Sequence, residues 1–349
     1  MRFLRRVRAG TAGRRRRRAL GTALGVGLGL LPASGLPAAP AGPASAPPAV
    51  VLPGAGGHVY VTNQLDNTVS VIDARTNKVI ATVPAGTAPE GIAVAPDGRH
   101  AYIADNGSAE VSVLDTRTRK IVATVPVGKA PSGVELSPDG GFLYVANGGS
   151  NSVSVLDTRT NRVTASVPVG ISPVSVTVSR DGAEAYVANA GSGSVSVIDT
   201  RTRRTTRVLP AGRSPVGVAV TPDGRSVYVA DEVAASVSVV GTRTGTITAT
   251  VPVGEGPFDV ALGPDGRSAY VTALGPGQVS MIDTRSHRVS ATVSVGPPGT
   301  DPFNVAVTPG AVYVTQQGAG TLAVIDPRTF KVVTTVTVGS NPYGVAVGP

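Results

Sequence analysis

Three aromatic residues occupy one equivalent position in three successive repeats of this chain: Phe258, Phe303 and Tyr343. In the other repeats the same position reads Glu90, Ser132, Val174 and Val216. Carboxylates flank the rings at Asp259 and Asp301, and Glu90 follows Tyr343 if the repeats close on themselves. Aromatic faces beside carboxylates suit a sugar or a cationic side chain. The same sector holds an enlarged loop: Gly296 and Pro302 are six residues apart, where Gly254 and Pro257 are three apart. Glu90, Phe258, Asp259, Asp301, Phe303 and Tyr343 are therefore the candidate ligand site. The competing structural reading is that the rings fill gaps between repeats where Val suffices elsewhere.

Acid–base and metal chemistry finds less support. His58 and His100 occupy equivalent sites in adjacent repeats, and neither is spaced to chelate with the other or with His287. No Gly-x-Ser-x-Gly elbow or phosphate-binding loop occurs. There is no Cys, which excludes disulfides and thiolate metal sites. Asp73, Asp115, Asp157, Asp199, Asp283 and Asp326 each precede a turn of the Thr-Arg-Thr type. An Asp there accepts hydrogen bonds from amides two or three residues on, a structural role. Asn63, Asp105, Asn147, Asn189 and Asp231 also read as structural. No cofactor is expected, although a divalent cation at an acidic channel mouth would make a lactonase- or lyase-type enzyme.

The elements that position these residues follow from a period. Tyr60, Tyr102, Tyr144, Tyr186, Tyr228 and Tyr270 stand 42 residues apart, and Tyr313 follows after 43. A fixed period of this size marks a repeat architecture. Each unit holds four short Val/Ile-rich runs bounded by turn residues; in the second unit they are 91–95, 100–104, 111–115 and 121–125. Four antiparallel strands per unit make one blade of a β-propeller. The first unit lacks its opening strand, and the chain stops after a lone opening strand through Tyr343. The two fragments complete one blade. The expected fold is all-β: a seven-bladed β-propeller of four-stranded antiparallel blades over 58–349, closed by pairing of N- and C-terminal strands.

The sequence Tyr60-Val61-Thr62-Asn63, with the recurring Val-Ser-Val-Ile-Asp-Thr-Arg-Thr and Pro-Asp-Gly motifs, resembles the YVTN family of β-propeller repeats. That family is known from cell-surface proteins and from YncE-like periplasmic proteins. The resemblance implies a seven-bladed propeller at or outside the cell surface, and it carries no catalytic residues. The chain departs from the pattern at Gly241, at Ala273 and at Pro309-Gly310.

The net charge of +9 belongs to one end. Nine Arg lie in the first 18 residues (Arg2, Arg5, Arg6, Arg8 and Arg14 to Arg18), and no acid precedes Asp66. Without that segment, 22 basic residues face 22 acidic ones. An apolar run from Ala19 to Leu31 and small residues through Ala41 complete a signal peptide over 1–41. A Pro/Ala/Gly-rich linker follows over 42–57. The run is too short to cross a bilayer comfortably, so no transmembrane anchor is expected.

Sorting the loops by face places Asp66, Glu90, Asp105, Glu110, Asp231, Glu232, Glu255, Asp259 and Asp301 on one face, against Lys129 and Arg213. The opposite face, with Arg207 and the Thr-Arg-Thr turns, is expected to be basic. The neutral balance and the scarcity of aromatics speak against nucleic acid. The leading expectation is a secreted or envelope-located, monomeric, non-enzymatic binding module for a protein or glycan ligand.

Overall fold

The computed structural model describes residues 57–349. The expected signal peptide over 1–41 and the linker, Gly57 apart, lie outside the described residues. The described residues form 28 strands in seven four-stranded antiparallel sheets. We number the sheets as blades 1 to 7. The strands of each blade, from the axis outward, are inner, second, third and outer.

In blade 2 these strands are Pro89–Val94, His100–Asp105, Glu110–Asp115 and Lys120–Pro126. The inner strand begins two residues earlier than the Val/Ile run suggests. Proline is tolerated at a strand's first position because no ladder donor is needed there. The second and third strands are buried almost throughout, with both faces covered by adjacent blades. That is why they read as continuous apolar runs rather than alternating ones. Only the outer strand, at the rim, alternates between exposed and covered residues.

The inner strands contact one another in the cyclic order of blades 1 to 7 and back to 1. Blade 1 is assembled from both ends of the described chain. Its inner strand Pro342–Gly348 pairs with His58–Asn63, setting Tyr60 opposite Ala346 and Val59 opposite Val347. Blade 1 is thereby brought to the same four strands as the others, and its second strand is not left as an edge. At the axis the strands converge tightly: a Cβ on Gly344 would stand 2.4 Å from the Glu90 carbonyl oxygen. In blade 1 this approach requires glycine at 344.

The repeated tyrosines are core residues, from Tyr186 at 1% exposed to Tyr270 at 5%. Each buries an aromatic area whose transfer from water is worth on the order of 4 kcal/mol. The turn aspartates behave as expected: Asp73 Oδ1 accepts the Arg75 and Thr76 amides at 3.0 and 2.9 Å, and Asp199 Oδ1 accepts the Thr202 amide at 2.6 Å. The Asn/Asp after each Tyr-Val pair is structural too, with different partners. Asn63 Nδ2 donates to Ser70 Oγ at 3.0 Å while its Oδ1 accepts the Gly339 amide at 3.0 Å. Asp105 accepts from Ser112 Oγ at 2.6 Å and from the Gly86 amide at 3.1 Å. Asn63 and Asp105 thus clamp the loop that enters their blades, whereas Asn147 and Asn189 keep only their bonds to third-strand Ser, the shorter at 3.0 Å in each case.

Candidate functional site

The second residue of each inner strand points into one layer at one end of the ring. There Phe258 and Phe303 stack with centroids 3.6 Å apart. Tyr343 meets Phe303 edge-on at 4.5 Å and Phe258 at 6.2 Å. The Tyr343 and Ser132 hydroxyls are 3.3 Å apart. The three rings are partly exposed, whereas Glu90 and Ser132 in the same layer are buried. The layer extends from blade 6 through blades 7, 1 and 2 to blade 3, so it crosses the end of the channel.

Glu90 is 8% exposed and accepts Gln64 Nε2 at 2.9 Å. Loss of solvation pushes its carboxyl up to about 7, against hydrogen bonds from Ser132, Tyr343, Gln64 and Asn106. Burial raises the Tyr343 phenol well above its ordinary range, and the Glu90 charge adds to this. The candidate residues therefore divide. Phe258, Phe303, Tyr343 and Glu90 are brought together. Asp301 lies in the loop before the blade 7 inner strand Pro302–Val307, where its carbonyl accepts the Gln317 amide at 3.0 Å. Asp259 lines the channel instead.

Beyond the layer the channel widens into a cavity of about 470 Å³. Its walls include Gly91, Ser175, Thr177, Ala219, Asp259 and Asn304, and its wide end is set by Arg180, Pro222 and Pro264 in turns between inner and second strands. Asp259 accepts Asn304 Nδ2 at 2.9 Å and the Val305 amide at 3.0 Å, both from blade 7, and the Val260 amide at 2.9 Å. Burial still raises its carboxyl. Glu135 also lines the cavity. Water reaches it through the channel, yet protein surrounds it, and its carboxyl is pushed up to about 7 by lost solvation and by the Asp259 charge.

Sorting charges by loop does not reach Glu135, which stands within the inner strand Pro131–Leu136. The signal was available: its equivalents are Ala93, Thr177, Ala219, Ala261, Ala306 and Ala346. The expected acidic face also needs correction. Asp105 and Asp231 are buried as loop clamps, Glu90 is buried in the layer, and Asp259 faces the cavity. Asp66, Glu110, Glu232, Glu255 and Asp301 remain at the surface of that face. On the other face Arg207 is not a free charge: it pairs with Glu184 at 2.6 Å and donates to the Thr242 carbonyl of blade 5. Among the described residues no three His, Asp or Glu side chains are grouped to hold a metal ion. Among them, too, no helix is long and apolar enough to cross a membrane.

The fold has many relatives of solved structure. A hydrazine synthase of Kuenenia stuttgartiensis superposes with a TM-score of 0.70 at 26% identity, covering 79% of this chain and 96% of that one. A functionally unknown protein from Desulfotomaculum acetoxidans gives 0.73 at 16% identity, over 84% and 99% of the two chains. The dihydro-heme d1 dehydrogenase NirN, solved in complex with DHE, gives 0.63 at 16%, over 83% and 75%. The last two likenesses are of fold alone. No curated protein matches by sequence. The model of the YncE-like β-propeller family matches residues 43–139 and again 135–223, more than half of the chain. With the seven closed blades and the period of Tyr60 to Tyr313, that match places the chain in the YncE-like β-propeller family.

Proposed function

We propose that this protein is an exported, non-enzymatic binding module that holds a protein or glycan ligand against the aromatic layer at one end of the ring. The observation that carries this reading is the partial exposure of three touching rings, Phe258, Phe303 and Tyr343, while all seven repeat tyrosines are buried. Stacked rings that keep a solvent-facing surface beside a hydrogen-bonded carboxylate suit a sugar face or a cationic side chain. Export rests on the basic and apolar leader, and on the envelope setting known for the family. The rival reading, a lactonase- or lyase-type enzyme using a divalent cation, lacks a grouped set of ligands among the described residues.

The test is the double variant Phe258→Ala, Phe303→Ala, assayed against soluble oligosaccharides and against Lys/Arg-rich peptides. Binding by the parent protein that is lost in a variant with a nearly unchanged melting midpoint supports the proposal. Stability lower by several kcal/mol would assign the rings to the core and overturn it. So would the absence of binding by the parent.

A further inference from the structure

We propose that the central cavity, a site separate from the aromatic layer, binds a small organic ammonium ion between Glu135 and Asp259. The two residues belong to blades 3 and 6, three blades apart, which is the widest separation a ring of seven allows. Asp259 is the third residue of its inner strand and Glu135 the fifth. They therefore stand on opposite walls at different depths, offset by about 7 Å along the strands.

Each carboxylate faces the same cavity of about 470 Å³. Among the described residues neither lies within ion-pair distance of a Lys, Arg or His, and the Glu135 carboxylate, unlike its laddered backbone, makes no hydrogen bond. Asp259 is the less accessible of the two, and a charge withdrawn from water is costly unless paired; water reaches Glu135 through the channel, and the two carboxylates repel each other. The protein retains both. Of the third and fifth positions on all seven inner strands, only Asp259 and Glu135 titrate; the others are Gly, Ala, Ser, Thr or Asn. Arg180 is the single cationic side chain on the wall, exposed at the wide end. The cavity therefore has an acidic interior that the chain does not neutralise.

The chemistry favours an ammonium over a metal ion. Asp259 already accepts three hydrogen bonds, and no third carboxylate or His joins the pair. The cavity far exceeds the few probe-sized volumes a bare ion would need. An ammonium compound fills it, donates N–H groups to Glu135, and lays its carbon chain along Ala219, Ala261 and Thr177. Glu135→Ala installs the residue that five other blades carry, so the fold tolerates it.

Isothermal titration of the full chain with 1,4-diaminobutane near pH 8 should give one-to-one binding, and uncharged 1,4-butanediol should give none. Glu135→Ala and Glu135→Gln should each weaken the diamine by at least about tenfold, with no fall in melting midpoint. Binding should also weaken as pH falls through about 7 and Glu135 takes up a proton. Failure of the diamine to bind at about 10 mM, equal affinity in Glu135→Ala, or binding of calcium chloride that the diamine does not displace would each overturn the proposal. Phe258, Phe303 and Tyr343 do not line this cavity and Glu135 does not touch the rings, so the Glu135 and the aromatic variants test the two proposed sites separately.

Discussion

The Tyr343 hydroxyl lies 3.3 Å from the Ser132 hydroxyl, although the two residues stand in blades 1 and 3. Between them in the ring is Glu90 of blade 2, and both hydroxyls favour its charged form by hydrogen bonding. The contact ties three blades together at the point where the two ends of the described residues meet, since Tyr343 sits on the C-terminal strand that completes blade 1. Ring closure and the candidate ligand layer therefore share a residue.

Stability should peak at mildly acidic pH. The folded-state values of Glu90 and Asp105 are raised, to about 7 and about 6, from ordinary values of 4.5 and 3.8. Glu135 is likewise raised to about 7. Between about pH 4 and 7 the folded chain thus holds protons that the unfolded chain has released, and stability falls as pH rises through that window. The turn carboxylates Asp73, Asp115, Asp157, Asp199 and Asp283 are held low, mainly by backbone amide hydrogen bonds. Their contribution is present above about pH 4 and disappears as pH falls further. Denaturant melts across this range should show a maximum near pH 4 to 5, and Glu90→Gln should flatten the limb above it. A profile level from about pH 5 to 7.5 would contradict these assignments.

Removing residues 340–349 should open the ring. The deletion takes away the inner strand of blade 1 and leaves His58–Asn63 as an unpaired edge facing the channel. It also removes contacts of that strand with the inner strands of blades 2 and 7. Exposed edges template association, so light scattering should report aggregates. A truncated protein that stays monomeric with the parent's melting midpoint would refute a ring closed by this strand.

The loop clamps are separable from any binding role. Asp105→Ala leaves the Ser112 hydroxyl and the Gly86 amide without their partner. Unsatisfied buried groups cost about 1–3 kcal/mol, so the midpoint should fall. Asp105→Asn should cost less, because Asn63 makes the same two contacts in blade 1. Equal effects of the two substitutions would show that the clamp carries little energy.

The blade count, the strand types and the stitched blade were legible in the chain because a period repeats every packing constraint. The aromatic layer was legible because Phe258, Phe303 and Tyr343 break that period at one position. Burial of charge was not. Asp105 and Asp231 look like loop residues; their carboxylates are covered because amides 17 to 19 residues earlier, at Gly86, Arg213 and Ser214, fold back onto them. Glu135 was overlooked for a related reason. Counting charges by loop passes over a side chain in mid-strand, and the channel makes mid-strand a surface.

Blade 6 offers a test in the opposite direction, by gain of stability. It carries Ala273 where blades 1 to 5 place Asn63, Asp105, Asn147, Asn189 and Asp231. Ser280, 3% exposed, stands where Ser70, Ser154 and Ser196 receive an Asn amide. The Gly254 backbone lies against Ala273 as Gly339 lies against Asn63: a Cβ on Gly254 would be 2.9 Å from the Ala273 Cβ, and one on Gly339 would be 2.7 Å from the Asn63 Cβ. Ala273→Asn should therefore restore a donor to Ser280 and an acceptor for the Gly254 amide. A buried hydrogen bond adds about 1 kcal/mol net, which for a domain of this size raises the melting midpoint by about 2 °C. Pairing the substitution with Ser280→Ala gives a double-mutant cycle. The gain should shrink when Ser280 is absent; a gain of the same size without Ser280 would mean that the new side chain stabilises blade 6 by some route other than the clamp.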